Sequence, residues 1–261
     1  MSLKKRIKLF WFDFTHPAVL HPTYILQLKT KNKYKKLLLG FWPISRYALF
    51  NENFARKYWK RVNSVGTLDE PFVYLNFDLP RDSKILDFGC GGSSISLGLA
   101  SFGYDVTGVD FRYAGFSHKN FKYYKQNFFD VEFKKDSFDC VLAISVLEHV
   151  GMGHYGEPPI KNADLKAMEK IRYVLKPDGI LFISVPGGKR KIYEQDGIEY
   201  IRIFDPDYLE ELCKGFMILK EIFYKKENQD WIQCSREKLS QIEYEGEDVS
   251  AILIKAQKKQ Q

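Results

Sequence analysis

The sequence predicts an α/β fold with a doubly wound, mostly parallel sheet of seven strands. Between residues 84 and 185, short apolar runs alternate with helical stretches. This order favours parallel strands joined by right-handed crossovers. A glycine-rich turn directly follows the first apolar run, in the segment 84–93 (KILDFGCGGS), and such turns bring the backbone close to a nucleotide-like ligand. Two late apolar runs, 216–224 and 249–256, are expected to pair antiparallel at the end of the sheet.

The individual elements follow from hydrophobic period and from cap residues. Strands are predicted at 84–88, 106–109, 123–127, 138–145, 180–185, 216–224 and 249–256. Helices are predicted at 93–102 and 164–175. A third helix is expected to start at Pro206 and run to Cys213, with Gly215 as the residue that terminates it. Asp205 is expected to cap this third helix, because aspartate is a preferred N-cap and proline is tolerated in the first turn.

Residues 1–65 are predicted to form a basic, aromatic helical extension, and residues 66–261 the main domain. The extension carries a net charge of +12 and the rest of the chain −5, within a total of +7. Helices are expected at 26–39 and 45–65, separated by Pro43. Two interpretations stay open: a solvated face on helices that pack through their aromatics, or a surface for an acidic partner or a membrane. Deletion of the extension is expected to weaken ligand binding.

Composition indicates a globular protein, with 45% apolar and 28% charged residues. The four cysteines show no paired spacing, which favours reduced thiols and a cytoplasmic location and gives no indication of a zinc site. No apolar run approaches the roughly 20 residues that a membrane-spanning helix needs.

Polar residues stand where the predicted strands end, and open α/β sheets bind ligands at that edge. Asp87 precedes the first glycine of the turn, where it would repel a phosphate and attract an amino group. Asp110, at the end of the second strand, could accept hydrogen bonds from both hydroxyls of a ribose. Asn127 and Phe128 could present an amide and a ring to an adenine, and Ser145 ends the fourth strand.

Over residues 66–256 the chain resembles the class I S-adenosylmethionine-dependent methyltransferases. The segments that carry the resemblance are 86–91, 108–110, 137–142, 147–150 and 175–179. The resemblance implies a Rossmann-like fold and S-adenosylmethionine as cofactor, and no metal-binding residue is expected. The cofactor-binding residues that it implies are Asp87, Gly89, Cys90, Gly91, Asp110, Phe111, Asn127, Phe128 and Ser145. The chain departs from the family pattern at Ser93, where a third glycine is usual, and at Asn127, where aspartate is frequent.

A narrower similarity at residues 148–158 links the chain to a small methyltransferase-like group of unassigned activity. Histidine has a reference pKa of about 6.5, so His149 and His154 are candidates for a general base, and Glu148 could orient either one. The alternative is that Glu148 and His149 cap the following turn and shape the pocket floor.

The expected reaction is methyl transfer to O or N of a small-molecule or saccharide-like acceptor. The glycines and cations of 186–191 would suit a phosphate or carboxylate on that acceptor, or would form a solvated turn. Neither the Asn/Asp-Pro-Pro-aromatic run of base-amine methylation nor a Pro-Cys nucleophile occurs in the sequence, which argues against nucleic acid. Two alternatives remain: a non-catalytic cofactor-binding scaffold, and a nicotinamide-dependent oxidoreductase suggested by the loose glycine pattern Gly89-x-Gly91-x-x-Ser94.

Overall fold

The computed structural model describes residues 66–260, apart from 92–93, 113–116, 154, 156, 196, 229 and 247–248. The predicted extension 1–65, with its two helices, and the candidate base His154 lie outside the described residues. The domain boundary at residue 65 therefore stays a prediction.

The described residues form ten strands and five α-helices. The strands are β1 Lys84–Phe88, β2 Asp105–Val109, β3 Phe121–Tyr124, β4 Phe138–Ile144, β5 Leu175–Pro186, β6 Lys191–Gln195, β7 Ile198–Ile203, β8 Phe216–Glu227, β9 Asp230–Gln233 and β10 Ser250–Lys258. The helices are α1 Gly66–Asn76, α2 Ser94–Ser101, α3 Ala163–Val174, α4 Pro206–Leu212 and α5 Arg236–Leu239.

Eight strands make one sheet in the order β3-β2-β1-β4-β5-β10-β8-β9, and β6 and β7 make a separate hairpin. Strands β1 to β5 pair in parallel, whereas β10 is antiparallel to both β5 and β8. The predicted α/β, mostly parallel Rossmann-like fold with a C-terminal antiparallel strand pair is confirmed. The sheet has one strand more than predicted, because the short β9 adds an antiparallel edge beside β8.

The sheet is buried on both faces, which explains why its central strands are almost continuously apolar. Along β1, Ile85 packs with the apolar residues of α1 and α2, whereas Leu86 packs with those of α3 and α4. The same alternation separates Leu142 from Val141 on β4. Two hydrophobic clusters therefore flank the sheet, one under each helical layer.

Most helix and strand ends lie close to the positions predicted from the local sequence. Asp205 caps α4 as predicted, because its Oδ1 accepts the Tyr208 backbone N–H at 2.9 Å. The prediction was wrong for the third strand, which ends at Tyr124 and not at residue 127. Asn127 instead caps a 3-10 turn at Phe128–Asp130. Within the described part of the chain, no helix combines the length and apolarity needed to cross a membrane.

The strand order places a topological switch point at β1, which lies between β2 and β4. The connections from these strands leave in opposite directions, so a crevice opens beyond their carboxyl ends. The predicted site residues cluster in this region.

Candidate functional site

A cleft lies at the carboxyl ends of β1, β2 and β4. It is lined by Phe88, Gly89, Asp110, Phe111, Arg112, Gln126, Asn127, Phe128, Phe129, Ser145, Val146, His149, Val150, Gly151, Tyr155, Glu157 and Ile160. Six of the nine predicted cofactor residues and one candidate base are in this set. The structure thus brings together residues up to about 70 positions apart in the chain, from Phe88 to Ile160. From the sequence, their proximity could be inferred only from the expected order of the strands in the sheet.

Asp110 ties the glycine turn to the end of β2. One carboxylate oxygen, Oδ2, accepts the Gly91 N–H at 2.8 Å, and Oδ1 accepts the Arg112 N–H at 2.7 Å. The Arg112 side chain also pairs with Oδ1, at 3.3 Å, and its guanidinium lies directly over Gly91. Arg112 is 56% exposed, so a sugar diol that binds Asp110 can displace this guanidinium at little cost.

Asp87 lies beneath the turn and does not line the cleft. It is buried and accepts a hydrogen bond from Ser96 Oγ at 2.6 Å. Burial raises the pKa of Asp87 to about 7, the Ser96 hydrogen bond opposes that shift, and the negative charge of Asp110 adds to it. Two mutually repelling carboxyl groups next to the turn favour a cationic ligand group and disfavour a pyrophosphate.

The raised pKa of Asp87 predicts a pH-dependent stability. The folded protein keeps a proton that the unfolded chain loses above its own pKa of 3.8, so the free energy of unfolding falls from about pH 4 to about pH 7 and then levels off. Asp87→Asn keeps a hydrogen-bond acceptor for Ser96 without the charge. Relative to this variant, the wild type should lose about 2–3 kcal/mol between pH 5 and pH 7 in urea denaturation. Parallel pH curves for the two proteins would contradict the shift.

Gly89 has a backbone conformation that only glycine adopts readily, with φ at +75°, and its N–H donates to the Val109 carbonyl oxygen at 2.8 Å. A Cβ at this position would overlap the Val146 side chain. The turn is therefore closed against β4, and any side chain here would also enter the cleft.

Gly89→Ala is expected to lower the stability more than Gly103→Ala does. Both glycines have positive φ, but no described atom lies within 4 Å of a Cβ at Gly103. Gly103→Ala should cost about 1–2 kcal/mol from the backbone alone. Gly89→Ala should cost a further 1–3 kcal/mol, roughly, from overpacking against Val146. Equal losses in thermal or urea unfolding would show that Val146 moves away freely.

Phe128 and Asn127 lie on a rigid turn. Asn127 Oδ1 accepts the Phe129 N–H at 3.0 Å, and the buried Phe128 ring stacks on Phe88 with centroids 4.0 Å apart. The Lys170 ammonium fixes the turn from below by donating to the carbonyl oxygens of Phe128, Phe129 and Val131. One lone pair of the Asn127 amide oxygen is thus used for capping, which the sequence did not indicate.

His149 lies on the turn after β4. Its Nδ1 is 3.2 Å from the Tyr200 carbonyl oxygen, and its ring meets the Tyr155 and Tyr200 rings edge to face. Because a carbonyl oxygen only accepts, Nδ1 carries the proton and Nε2 carries the lone pair. The hydrogen bond that defines the tautomer comes from the Tyr200 carbonyl oxygen on the β6–β7 hairpin. Glu148 is buried, and its role in orienting His149 stays a prediction.

Ser145 ends β4 with φ at +48°, a conformation that is rare outside glycine. Its Oγ donates to Asp69 Oδ2 at 3.0 Å, which joins α1 to the floor of the cleft. Its backbone N–H donates to the Ser184 carbonyl oxygen at 3.0 Å. Strained backbone of this kind persists where surrounding contacts hold it, and it is frequent at functional sites.

Sequence reasoning missed Glu157, a largely buried carboxylate that lines the cleft. Its Oε1 accepts the Gly153 N–H at 3.0 Å and its Oε2 accepts the Tyr155 N–H at 2.9 Å. Glu157 therefore organises the loop that carries Tyr155. The segment 153–157 contains two glycines, which indicate a loop. That loop composition was the sequence feature that could have pointed to a side chain binding its backbone N–H groups.

Cys90 lies beside the turn but its sulfur packs into the core against Gly108. Burial raises the pKa of this thiol, and the nearby charges of Asp87 and Asp110 add to the shift. The side chain is thus an inert core group, and only the backbone of Cys90 faces the turn. Among the described residues, no group of three or more His, Cys, Asp or Glu side chains is arranged to hold a metal ion.

A family model described as "Caenorhabditis protein of unknown function, DUF268" matches residues 117–256, more than half of the chain. The chain belongs to this family. The family description names no reaction, so the chemistry of this member has to be argued from its own cleft.

The chain is also similar to curated methyltransferases. It is 30% identical over 172 residues to a ubiquinone biosynthesis O-methyltransferase of Glaesserella parasuis serovar 5 (strain SH0165), covering 59% of this chain and 64% of the relative. It is 27% identical over 199 residues to the protein of the same name from Rickettsia bellii (strain OSU 85-389), covering 68% and 77%. The chain thus spans slightly less than two thirds of the first of these relatives.

Among solved structures, the fold is similar to that of the Burkholderia thailandensis 1,6-didemethyltoxoflavin-N1-methyltransferase. The TM-score is 0.51 at 17% identity, with 83% of this chain and 85% of that chain covered. That crystal structure contains 1,6-didemethyltoxoflavin and S-adenosylhomocysteine. At this identity the similarity shows the fold, and the predicted resemblance to class I S-adenosylmethionine-dependent methyltransferases is confirmed.

Proposed function

We propose that this chain is an S-adenosylmethionine-dependent methyltransferase that acts on O or N of a small-molecule acceptor. The observation that carries the proposal is the position of the cleft. It lies at the switch point of the sheet and is lined by the Asp110 carboxylate, with the Asp87 carboxyl group buried beneath the turn. The O-methyltransferase and N1-methyltransferase names of the relatives are in line with either acceptor atom.

The residues present fit this cofactor. Asp110 would accept the ribose hydroxyls in place of the Arg112 guanidinium, and Gly89 and Gly91 would allow close approach of the methionine part. Asp87 would favour the ammonium group from beneath, because a cation relieves its repulsion with Asp110. Asn127 and Phe128 would contact the adenine, as the family resemblance implies, and Phe111 and Ser145 would be further cofactor-binding residues on the wall of the cleft.

When bound, S-adenosylmethionine supplies an electrophilic methyl group on a sulfonium. The protein must then align an acceptor atom for in-line displacement. Positioning of this kind can lower the activation barrier by about 7–11 kcal/mol. His149 would take the acceptor proton at Nε2, since its Nδ1–H is directed to the Tyr200 carbonyl oxygen. Tyr155, half-exposed at the cleft mouth, would flank the acceptor.

The finer features are also proposals. The sequence leads us to expect a saccharide-like acceptor and a cytoplasmic location. It also leads us to expect contact of the segment 1–65 with a membrane surface. His154 keeps its place as a second candidate base.

The test is transfer of tritiated methyl from S-adenosylmethionine into fractionated host metabolites and cell-envelope precursors. Label in one fraction, lost on heat inactivation of the protein, supports the enzyme. Intact S-adenosylhomocysteine binding without transfer into any fraction would favour the non-catalytic scaffold. Binding of NADH alone would favour the oxidoreductase.

A further inference from the structure

A second cavity, of about 740 Å³, adjoins the cofactor cleft. The two share the wall residues Gly151 and Ile160, whose backbones are joined by a hydrogen bond from the Ile160 N–H to the Gly151 carbonyl oxygen at 3.0 Å. Its volume is within the range of small-molecule sites. A molecule held in this cavity would therefore reach past Gly151 towards His149.

The wall of this cavity contains a guanidinium that stacks on an aromatic ring. The Arg190 guanidinium carbon lies 3.4 Å from the centroid of the Tyr208 ring. The Tyr208 hydroxyl donates to Asp164 Oδ2 at 2.7 Å, and Asp164 is buried at the start of α3. The ring on which Arg190 stacks is thus held at both its face and its hydroxyl.

The charge of Arg190 is not balanced by this arrangement. Asp164 already has an ion pair with Arg202, whose Nε is 3.3 Å from Oδ2, and both side chains are largely buried. Within the described residues, no carboxylate comes within 4.0 Å of the Arg190 guanidinium. A buried carboxylate with its own cation therefore supports Tyr208 without neutralising Arg190.

The neighbouring lysines differ from Arg190 in this respect. Lys189 pairs with Glu243 at 2.8 Å, and Lys191 pairs with the same carboxylate at 3.5 Å. Of the three cations in the segment 189–191, the structure leaves only Arg190 facing the cavity without a charged partner among the described residues. Two further exposed charges on the wall, Lys161 and Glu199, have opposite signs and nearly cancel.

We propose that Arg190, stacked on Tyr208, is the binding group for a carboxylate or phosphate on the methyl acceptor. Stacking on the ring limits the rotational freedom of the guanidinium and leaves its N–H edge for two parallel hydrogen bonds to an oxyanion. The proposal rests on the proposed methyltransferase function, because it assigns the second cavity to the acceptor of that reaction.

The network around Arg202 connects this subsite to the candidate base. The Arg202 N–H donates to the Glu148 carbonyl oxygen at 2.9 Å, and its Nη1 donates to the Leu147 carbonyl oxygen at 2.9 Å. The β6–β7 hairpin thus holds the turn of His149 by Arg202 and by the Tyr200 carbonyl oxygen. The contacts that hold the turn of His149 thus come from residues that also border the subsite, so an acceptor bound at Arg190 would have a defined position relative to His149.

The test uses sodium phosphate and sodium benzoate as probes on the full chain, with sodium chloride at equal ionic strength as the reference. The arginine Nε–H resonances are recorded by nitrogen-15 NMR, and the Arg190 resonance is the one missing in Arg190→Gln. We expect this resonance to shift and saturate with phosphate or benzoate and not with chloride. Which of the two anions saturates at lower concentration distinguishes a phosphate-bearing from a carboxylate-bearing acceptor.

Lys189→Gln is the matched control, since Lys189 precedes Arg190 but already pairs with Glu243. We expect Lys189→Gln to leave the Arg190 titration unchanged. In Arg190→Lys, which keeps the charge and loses the planar fork, calorimetry should give a roughly tenfold weaker affinity for the better anion. No saturation by either anion, or equal weakening in Lys189→Gln, would overturn the subsite and leave Arg190 as a structural partner of Tyr208. Because these titrations need no cofactor, failure of S-adenosylhomocysteine binding would count against the proposed function alone.

Discussion

Replacement of Asp110 by Asn is expected to weaken S-adenosylhomocysteine binding by about 100-fold or more. Two hydrogen bonds from ribose hydroxyls to an ionised acceptor contribute about 1.5–3 kcal/mol each, and each 1.4 kcal/mol is tenfold in affinity. Asparagine keeps the shape of the side chain and one acceptor oxygen, so the contact to the Gly91 N–H can persist. Isothermal titration calorimetry gives the two dissociation constants directly.

Asp105→Asn is the control for this variant. Asp105 begins the same strand that Asp110 follows, and it is exposed at the opposite edge of the sheet. It should bind S-adenosylhomocysteine as the wild type does. Unchanged affinity in a folded Asp110→Asn protein would show that the ribose is bound elsewhere.

Replacement of His149 by Asn is expected to lower kcat by about 10²–10⁴, the contribution typical of a positioned general base. The Asn side-chain N–H can replace Nδ1–H as the donor to the Tyr200 carbonyl oxygen, whereas the Nε2 lone pair is lost. The affinity for S-adenosylhomocysteine should stay close to that of the wild type. Single-turnover methyl transfer across pH 5.5–9, roughly the range in which histidine changes charge, measures both the rate and its pH profile.

His118→Gln removes a histidine outside the described lining of the cleft and serves as the control. The His118 ring accepts the Asn120 N–H in a local turn, so its loss should leave kcat unchanged. If His149→Asn kept the wild-type rate and pH profile, His149 would be a structural residue that shapes the cleft floor, and proton removal would pass to solvent or to another group.

The sheet could be predicted because its signals are local. The apolar runs and the Asp87–Gly91 turn lie within a few residues of each other. Asp205 indicates a helix start because it directly precedes the helix that it caps. The end of β3 could not be predicted in this way. Whether Asn127 continues a strand or caps a turn depends on Lys170, which lies 41 to 42 residues further along the chain and binds the turn carbonyl oxygens.

The candidate cofactor site was more predictable than the candidate active site for the same reason. Asp110, Asn127 and Ser145 stand at or near strand ends, and parallel strands bring their carboxyl ends to one edge. The tautomer of His149 depends on the Tyr200 carbonyl oxygen, 51 residues away on the β6–β7 hairpin. The Asp-Gly step at 196–197 is a hairpin signal in the sequence, but it does not indicate that this hairpin contacts His149. The ion pairs of Lys189 and Lys191 with Glu243 are likewise long-range contacts, and among the described residues they leave Arg190 as the cation of that segment without a charged partner.

The cleft beyond β1 is expected to accept a ribose-bearing cation and to reject a pyrophosphate. Calorimetric titration of S-adenosylmethionine and of NADH into the same protein sample tests it most directly. We expect saturable heat with S-adenosylmethionine and no heat above that of dilution with NADH. Saturable binding of NADH, with no binding of S-adenosylmethionine, would contradict it.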